Sequence, residues 1–209
     1  MPPINDIFIT GTDTGVGKTV LSATLCAALD GTYWKPIQTG SADSDRTSVI
    51  RYAELPEART IPSTYEFEPP VSPHLAARLA GTRIDLDAIQ RPNVNASLVI
   101  EGAGGVMVPI NEHDLMIDLM KRLNVPVLLA ARTTLGTINH TLLSVQALRL
   151  AEVKLMGVVL IGEPNNENRR AIELYGNTPV IGWIPPLPVI TAQVLIEVFA
   201  VHFGGSYFK

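Results

Sequence analysis

Ile7-Phe8-Ile9-Thr10 runs directly into Gly11-Thr12-Asp13-Thr14-Gly15-Val16-Gly17-Lys18-Thr19, which opens Val20-Leu21-Ser22-Ala23-Thr24-Leu25-Cys26-Ala27-Ala28-Leu29. The first segment is a short apolar run with the character of a buried strand, and the last carries a helical period. Between them lies a glycine loop. Glycines let backbone N–H groups turn inward as an anion nest, and the helix N-terminus adds its dipole at the same point. A polyphosphate is the expected guest, with Lys18 reaching the β- and γ-phosphates and the Thr19 hydroxyl on Mg2+. The loop is a variant of the usual phosphate-binding loop, because Thr12 occupies the place where the first glycine is expected and Gly11 stands before it.

Outward from this loop, short apolar runs alternate with stretches of helical period, the pattern of parallel strands joined by crossover helices. Strands are expected at 7–10, 32–36, 97–101, 125–131, 155–161 and 179–184, and helices at 18–29, 45–54, 73–80, 115–123, 138–151, 166–175 and 192–202. Strand cores such as Leu98-Val99-Ile100 are continuous rather than alternating, as expected when both faces are covered. The fold class is therefore α/β, a mostly parallel doubly wound sheet flanked by helices and resembling P-loop NTPases. The segment from Ile61 to Pro73 carries Pro62, Pro69, Pro70 and Pro73 and reads as an ordered excursion between elements.

With 209 residues, 46% of them apolar, the chain suits one domain spanning 1–209 with a substantial core. A net charge of −4 supplies no basic field for nucleic acid or an anionic membrane. No apolar run reaches the roughly 20 residues that span a bilayer. The lone Cys26 cannot form an internal disulfide and reads as core packing, and the N-terminus lacks the pattern of a signal peptide. A cytoplasmic location is expected. His74, His113, His140 and His202 show no paired metal-ligand spacing.

Three further positions carry chemistry. Glu101 ends the apolar run Leu98–Ile100, opens Gly102-Ala103-Gly104, and should face the crevice beyond the carboxyl ends of the strands, where it could hold Mg2+. Asp43 or Asp45 could supply a second carboxylate, or either could cap a helix, and spacing does not choose between them. Lys35, at the end of a short strand before Pro36, would bring a second ammonium to the same rim. Two lysines near one triphosphate would neutralise the charge that develops as a phosphoryl group moves.

These blocks together resemble the dethiobiotin synthetase family. They are GTDTGVGKT at 11–19, YWKPIQTG at 33–40, DSD at 43–45, YEFEPPVSPHLAA at 65–77, VIEGAGGVMVPI at 99–110 and LGTINHTLL at 135–143, in the family's order over about the first two-thirds of the chain. The resemblance implies a ligase that uses ATP to build the ureido ring of dethiobiotin from 7,8-diaminopelargonate and CO2, with Mg2+. It implies Lys35 and Lys18 as catalytic residues. Thr19, Asp45 and Glu101 are implied as metal ligands, which prefers Asp45 over Asp43. A nucleotide would meet Thr14, Gly15, Val16, Gly17, Lys18, Thr19, Val20, Asp45, Glu101, Gly102, Ala103, Gly104 and Pro185. The second substrate would meet Thr14 and Thr39, together with Asn139 from the neighbouring subunit of a homodimer. By its local sequence alone, Asn139 reads as a helix cap. Gly15 stands where some members carry Glu. Ile161 stands where some members carry an adenine-reading Asn, and it has no donor or acceptor on its side chain. Loose base selectivity is expected, with CTP among the accepted triphosphates.

The nearest rival is a P-loop ATPase switch of the partitioning or positioning type. Such switches carry a lysine early in the loop, where this sequence has Thr12 and Asp13, and lack a block like KPIQTG. An amidotransferase-type ligase would need a glutaminase domain for which 209 residues leave no room.

Overall fold

A computed structural model describes residues 6–208. Its main sheet has seven strands in the order β4-β2-β6-β1-β7-β8-β9, and every neighbouring pair runs parallel. The strands are β1 (Ile7–Gly11), β2 (Thr32–Trp34), β4 (Thr60–Ile61), β6 (Leu98–Gly105), β7 (Val127–Arg132), β8 (Leu155–Ile161) and β9 (Val180–Ile184). A separate two-stranded parallel sheet pairs β3 (Ile37–Thr39) with β5 (Tyr65–Phe67).

Among the described residues, α1 (Lys18–Leu29), α2 (Asp45–Ala53), α4 (Met116–Leu123), α5 (Thr137–Leu150), α6 (Asn166–Gly176) and α7 (Ala192–His202) pack on the main sheet, and α3 (Pro73–Leu79) packs on β3. The period-2 alternation of β1 divides the interior into two cores. Phe8 packs with Met116, Met120, Val145, Leu148 and Ile172 from α4, α5 and α6. Ile7 and Ile9 pack with Leu21, Leu25, Val49, Leu195 and Val198 from α1, α2 and α7. The lone Cys26 is fully buried in this second core, and burial pushes its thiol up to about 12, which fits a packing role.

β1 lies between β6 and β7, so successive strands leave in opposite directions around it. A crevice opens where the order reverses, at the carboxyl end of β1. The phosphate loop, residues 12–17, occupies that point. Gly15 and Gly17 adopt φ of +70° and +96°, a region that side chains disfavour. Gly17 is also required sterically, since a Cβ there would sit 2.9 Å from the Ile161 side chain.

Four sequence expectations need correction. The strand expected over 32–36 stops at Trp34, because Pro36 has no N–H to extend the ladder. The strand expected to end at Glu101 continues to Gly105, so Glu101 lies mid-strand. The residues that follow are Gly and Ala, and Gly105 pairs with Gly11, so that a Cβ on Gly105 would sit 3.2 Å from the Gly11 carbonyl oxygen. Three short strands escaped the periodicity: β3, β4 and β5, of two or three residues each, are too brief to show one. One of them, β5, lies inside the proline-rich excursion, and Gly40 N–H donates to the Pro69 carbonyl at 3.2 Å to close that sheet against the crevice. Finally, α5 begins at Thr137 with Gly136 at its cap position, so Asn139 is the third helical residue and not the cap.

Candidate active site

The phosphate loop, the ends of β2, β3 and β6, and the start of α2 enclose a cavity of about 570 Å³. Lys18, Thr19, Lys35, Asp45 and Glu101 all line it. Lys18 is the first residue of α1 and is 7% exposed; its ammonium donates to the Asp13 carbonyl at 3.1 Å. Across the cavity Lys35, also 7% exposed, lies 2.5 Å from Asp45 Oδ2 and 3.6 Å from Glu101 Oε1. Asp45 comes from the first turn of α2, a position that favours a carboxylate by the helix dipole. Its backbone N–H donates to Gln38 Oε1 at 3.3 Å, tying α2 to β3.

Three oxygens meet between these groups. Thr19 Oγ1 lies 2.6 Å from Asp45 Oδ1 and 3.1 Å from Glu101 Oε1. A hydroxyl has one proton, so it can donate to only one of these carboxylates, and the shorter contact assigns it to Asp45. The approach to Glu101 is then oxygen to oxygen with no proton between. Such a set attracts a hard cation: two carboxylates and a hydroxyl are the donors Mg2+ prefers when phosphates complete its shell. The residues therefore fit that ion. Among the described residues no group of three or more His, Cys, Asp or Glu is arranged to hold a metal ion, so the candidate donors are these two carboxylates and one hydroxyl.

Electrostatics separates the two lysines. Burial lowers Lys18 to about 8; Glu101 partly opposes the shift and Lys35 adds to it. Lys35 also loses from burial, but the charges of Glu101 and Asp45 outweigh that loss and hold its ammonium above the ordinary lysine value. Burial alone would raise Asp45, yet Lys35 and the hydrogen bonds from Lys35, Thr19 and Gln38 keep it below the ordinary carboxylate range.

Two hydroxyls behind the site were not anticipated. Ser22 Oγ lies 2.7 Å and Tyr33 Oη 3.1 Å from Glu101 Oε2. Burial, then the charge of Glu101, pushes the Tyr33 phenol well above its ordinary value, so it keeps its proton and donates. Arg132, at the end of β7, braces the loop from outside by donating to Asp13 Oδ2 at 2.9 Å and to the Thr14 carbonyl at 3.1 Å.

The chain has relatives among known proteins. A family model described as an AAA domain matches residues 5–194. An ATP-dependent dethiobiotin synthetase of Rhodopseudomonas palustris (strain HaA2) is 48% identical over 203 residues, covering 97% of this chain and 95% of that protein. One from Paramagnetospirillum magneticum is 52% identical over 190 residues, covering 90% and 92%. The chain belongs to the dethiobiotin synthetase family. A bifunctional biotin biosynthesis protein of Bordetella avium carries a similar region, 49% identical over 90% of this chain but only 41% of its own length. Among solved structures, a ParA family ATPase from Chlorobium tepidum aligns with a TM-score of 0.53 at 13% identity, covering 95% of this chain and 93% of its own. MinD of Aquifex aeolicus aligns with 0.54 at 13%, covering 93% and 94%. At such identity the shared feature is the P-loop NTPase fold.

Within this dethiobiotin synthetase family member, Thr14, Gly15, Gly17, Thr39, Ala103 and Gly104 line the same cavity as the charged groups. Other expected contacts do not. Val16 is buried in the second core, which leaves only its backbone for a ligand, and Val20 packs against that core while staying partly exposed. Gly102 faces inward, since a Cβ there would meet the Phe8 ring at 2.8 Å. Pro185, just past β9, and Asn139, exposed on α5, do not line this cavity. Ile161 packs against Gly17 and pairs with Ile184, so the ends of β8 and β9 lie beside the start of α1.

Proposed function

We propose that the chain carries out the family's reaction with the residues converging on this cavity: ATP-dependent carboxylation and ring closure of 7,8-diaminopelargonate with CO2, giving dethiobiotin, ADP and phosphate. The observation that carries the reading is the meeting of two buried ammonium groups, Lys18 and Lys35, with Thr19, Asp45 and Glu101 at one glycine loop. The rival partitioning switch rests on fold likeness alone, whereas relatives about half identical over nearly the whole chain are synthetases.

An unprotonated amine of the substrate attacks CO2 to form a carbamate and releases a proton. A carbamate oxygen then attacks the γ-phosphorus in line, breaking its bond to the ADP oxygen. The second amine, also unprotonated, attacks the carbonyl carbon of the carbamic-phosphoric anhydride, the bond to the phosphate oxygen breaks, and the ureido ring closes with release of phosphate and a proton. The loop N–H groups and Lys18 hold the phosphates before reaction, and Lys35 faces the transferring group from the other rim. Thr39 and Thr14 offer hydroxyls to the second substrate. Thr19, Asp45 and Glu101 would hold Mg2+, which supplies positive charge to the phosphate oxygens.

The chain acts as one unit over 1–209 and as a homodimer. Met107, Leu135 and Leu143 are exposed apolar side chains, and Met107 and Leu143 line a second cavity of about 510 Å³ with Thr12, Asp13 and Thr14 of the phosphate loop. A second copy covering them would bring its Asn139 toward the first copy's substrate and exclude water from the anhydride. No helix among the described residues is long and apolar enough to cross a membrane.

Phosphate release from ATP tests the assignment. It should require both diaminopelargonate and bicarbonate. Release of equal rate without diaminopelargonate would overturn the ligase reading in favour of a nucleotide switch.

A further inference from the structure

Glu101 is fully enclosed and presents two different oxygens to two different environments. Oε1 faces Thr19 and Lys35, while Oε2 faces away from the cavity toward the hydroxyls of Ser22 and Tyr33. Both hydroxyl residues have no solvent exposure. Ser22 Oγ also lies 2.9 Å from the Lys18 carbonyl, but its single proton goes to the nearer, charged acceptor at 2.7 Å.

The placement follows from local periodicity. Ser22 is three residues after Thr19, on the same helix face, and Tyr33 lies in β2 two residues before Lys35, which follows the end of that strand. Each element that delivers a reacting group also delivers a hydroxyl to the back of the same carboxylate. With Oε2 held by two donors, rotation of the carboxyl group would cost both hydrogen bonds in a buried site where nothing replaces them.

We propose that Ser22 and Tyr33 are positioning residues that fix the Glu101 carboxylate so that Oε1 is presented to the metal position. The inference rests on the reading of Glu101 as a metal ligand and adds how that ligand is oriented. Outer groups of this kind commonly change metal affinity by about 10- to 100-fold when removed.

The test uses the full chain with Tyr33→Phe, Ser22→Ala and their combination, and Glu101→Gln as reference. Mn2+ affinity in the presence of ADP is read from the free-ion electron paramagnetic resonance signal, without turnover. Separately, KM for Mg2+ is compared with kcat, and near-ultraviolet circular dichroism checks packing. Tyr33→Phe and Ser22→Ala should each weaken Mn2+ about tenfold. The double variant should weaken it further, and each single variant should raise KM for Mg2+ with kcat restored at saturating metal. A merely structural role would lower thermal stability and leave Mn2+ affinity unchanged. Tyr33→Phe removes one oxygen from a buried ring and decides the matter alone if Ser22→Ala fails to fold. If Glu101→Gln weakens Mn2+ while Tyr33→Phe does not, the positioning role is overturned and the metal-site reading stands. If Glu101→Gln leaves Mn2+ affinity intact, the metal-site reading fails and this proposal falls with it.

Discussion

The two lysine-bearing rims of the crevice have the same exposure and opposite electrostatics. Lys18 and Lys35 are each 7% exposed, yet burial pulls Lys18 down to about 8 while Lys35 is held above the ordinary lysine value. Partners account for the difference. Lys35 faces two carboxylates at 2.5 and 3.6 Å, whereas Lys18 has one hydrogen bond to a backbone carbonyl within its own loop. The phosphate-loop rim is thus short of negative charge and improves when a polyanion arrives. The Lys35 rim is already neutralised, and its charge is fixed in place before any ligand binds. That is the arrangement expected if the first lysine serves binding and the second serves the transition state.

Lys35→Ala should produce the largest effect, a fall in kcat of roughly 100- to 1,000-fold, comparable with losing one preorganised charge donor. Nucleotide affinity should stay close to wild type in that variant, as measured by titration calorimetry. Wild-type turnover would erase the distinction between the rims.

Lys18→Met should instead weaken nucleotide binding by about 10- to 100-fold, the worth of a charge-assisted contact present before reaction. Its pH dependence sharpens the comparison. With Lys18 near 8 in the free protein, a bound phosphate chain raises it again, so binding above that pH takes up a proton. Affinity should therefore fall as pH rises, by about tenfold between pH 7 and 9, and the slope should vanish in Lys18→Met. Calorimetry in buffers of different ionisation enthalpy counts the proton directly. A flat profile in the wild type would mean that Lys18 is not the depressed group.

The smallest effect concerns the base. Phosphate-rim contacts are common to all nucleoside triphosphates, and Ile161 beside Gly17 offers the base no hydrogen bond. CTP should support product formation alongside ATP in a nucleotide panel. Strict dependence on ATP would place a base-reading group elsewhere on the β8 or β9 rim.

The sequence alone determined the strand, glycine loop and helix of residues 7–29, with α1 beginning and ending where its period said. The alternation of strands and helices likewise fixed a parallel sheet covered on both faces. These are local properties, set by side-chain period and by glycine's freedom at Gly15 and Gly17. It also singled out Lys18, Lys35, Thr19 and Glu101, because charged and hydroxyl side chains beside apolar runs and a glycine loop are chemically distinctive.

What only the tertiary structure decided is who faces whom. Local spacing could not rank Asp43 against Asp45; the resemblance preferred Asp45, and α2, packed on α1 and β2 and tied to Gln38 of β3, sets its carboxylate 2.5 Å from Lys35. Ser22 and Tyr33 looked like ordinary helix and strand residues until β6 brought Glu101 between them, across 79 and 68 positions of chain. The two-residue and three-residue strands β3, β4 and β5 likewise exist only because long-range pairing supplies hydrogen bonds that no local pattern announces. Contacts made by distant segments depend on how the cores pack, and packing is a property of the whole chain.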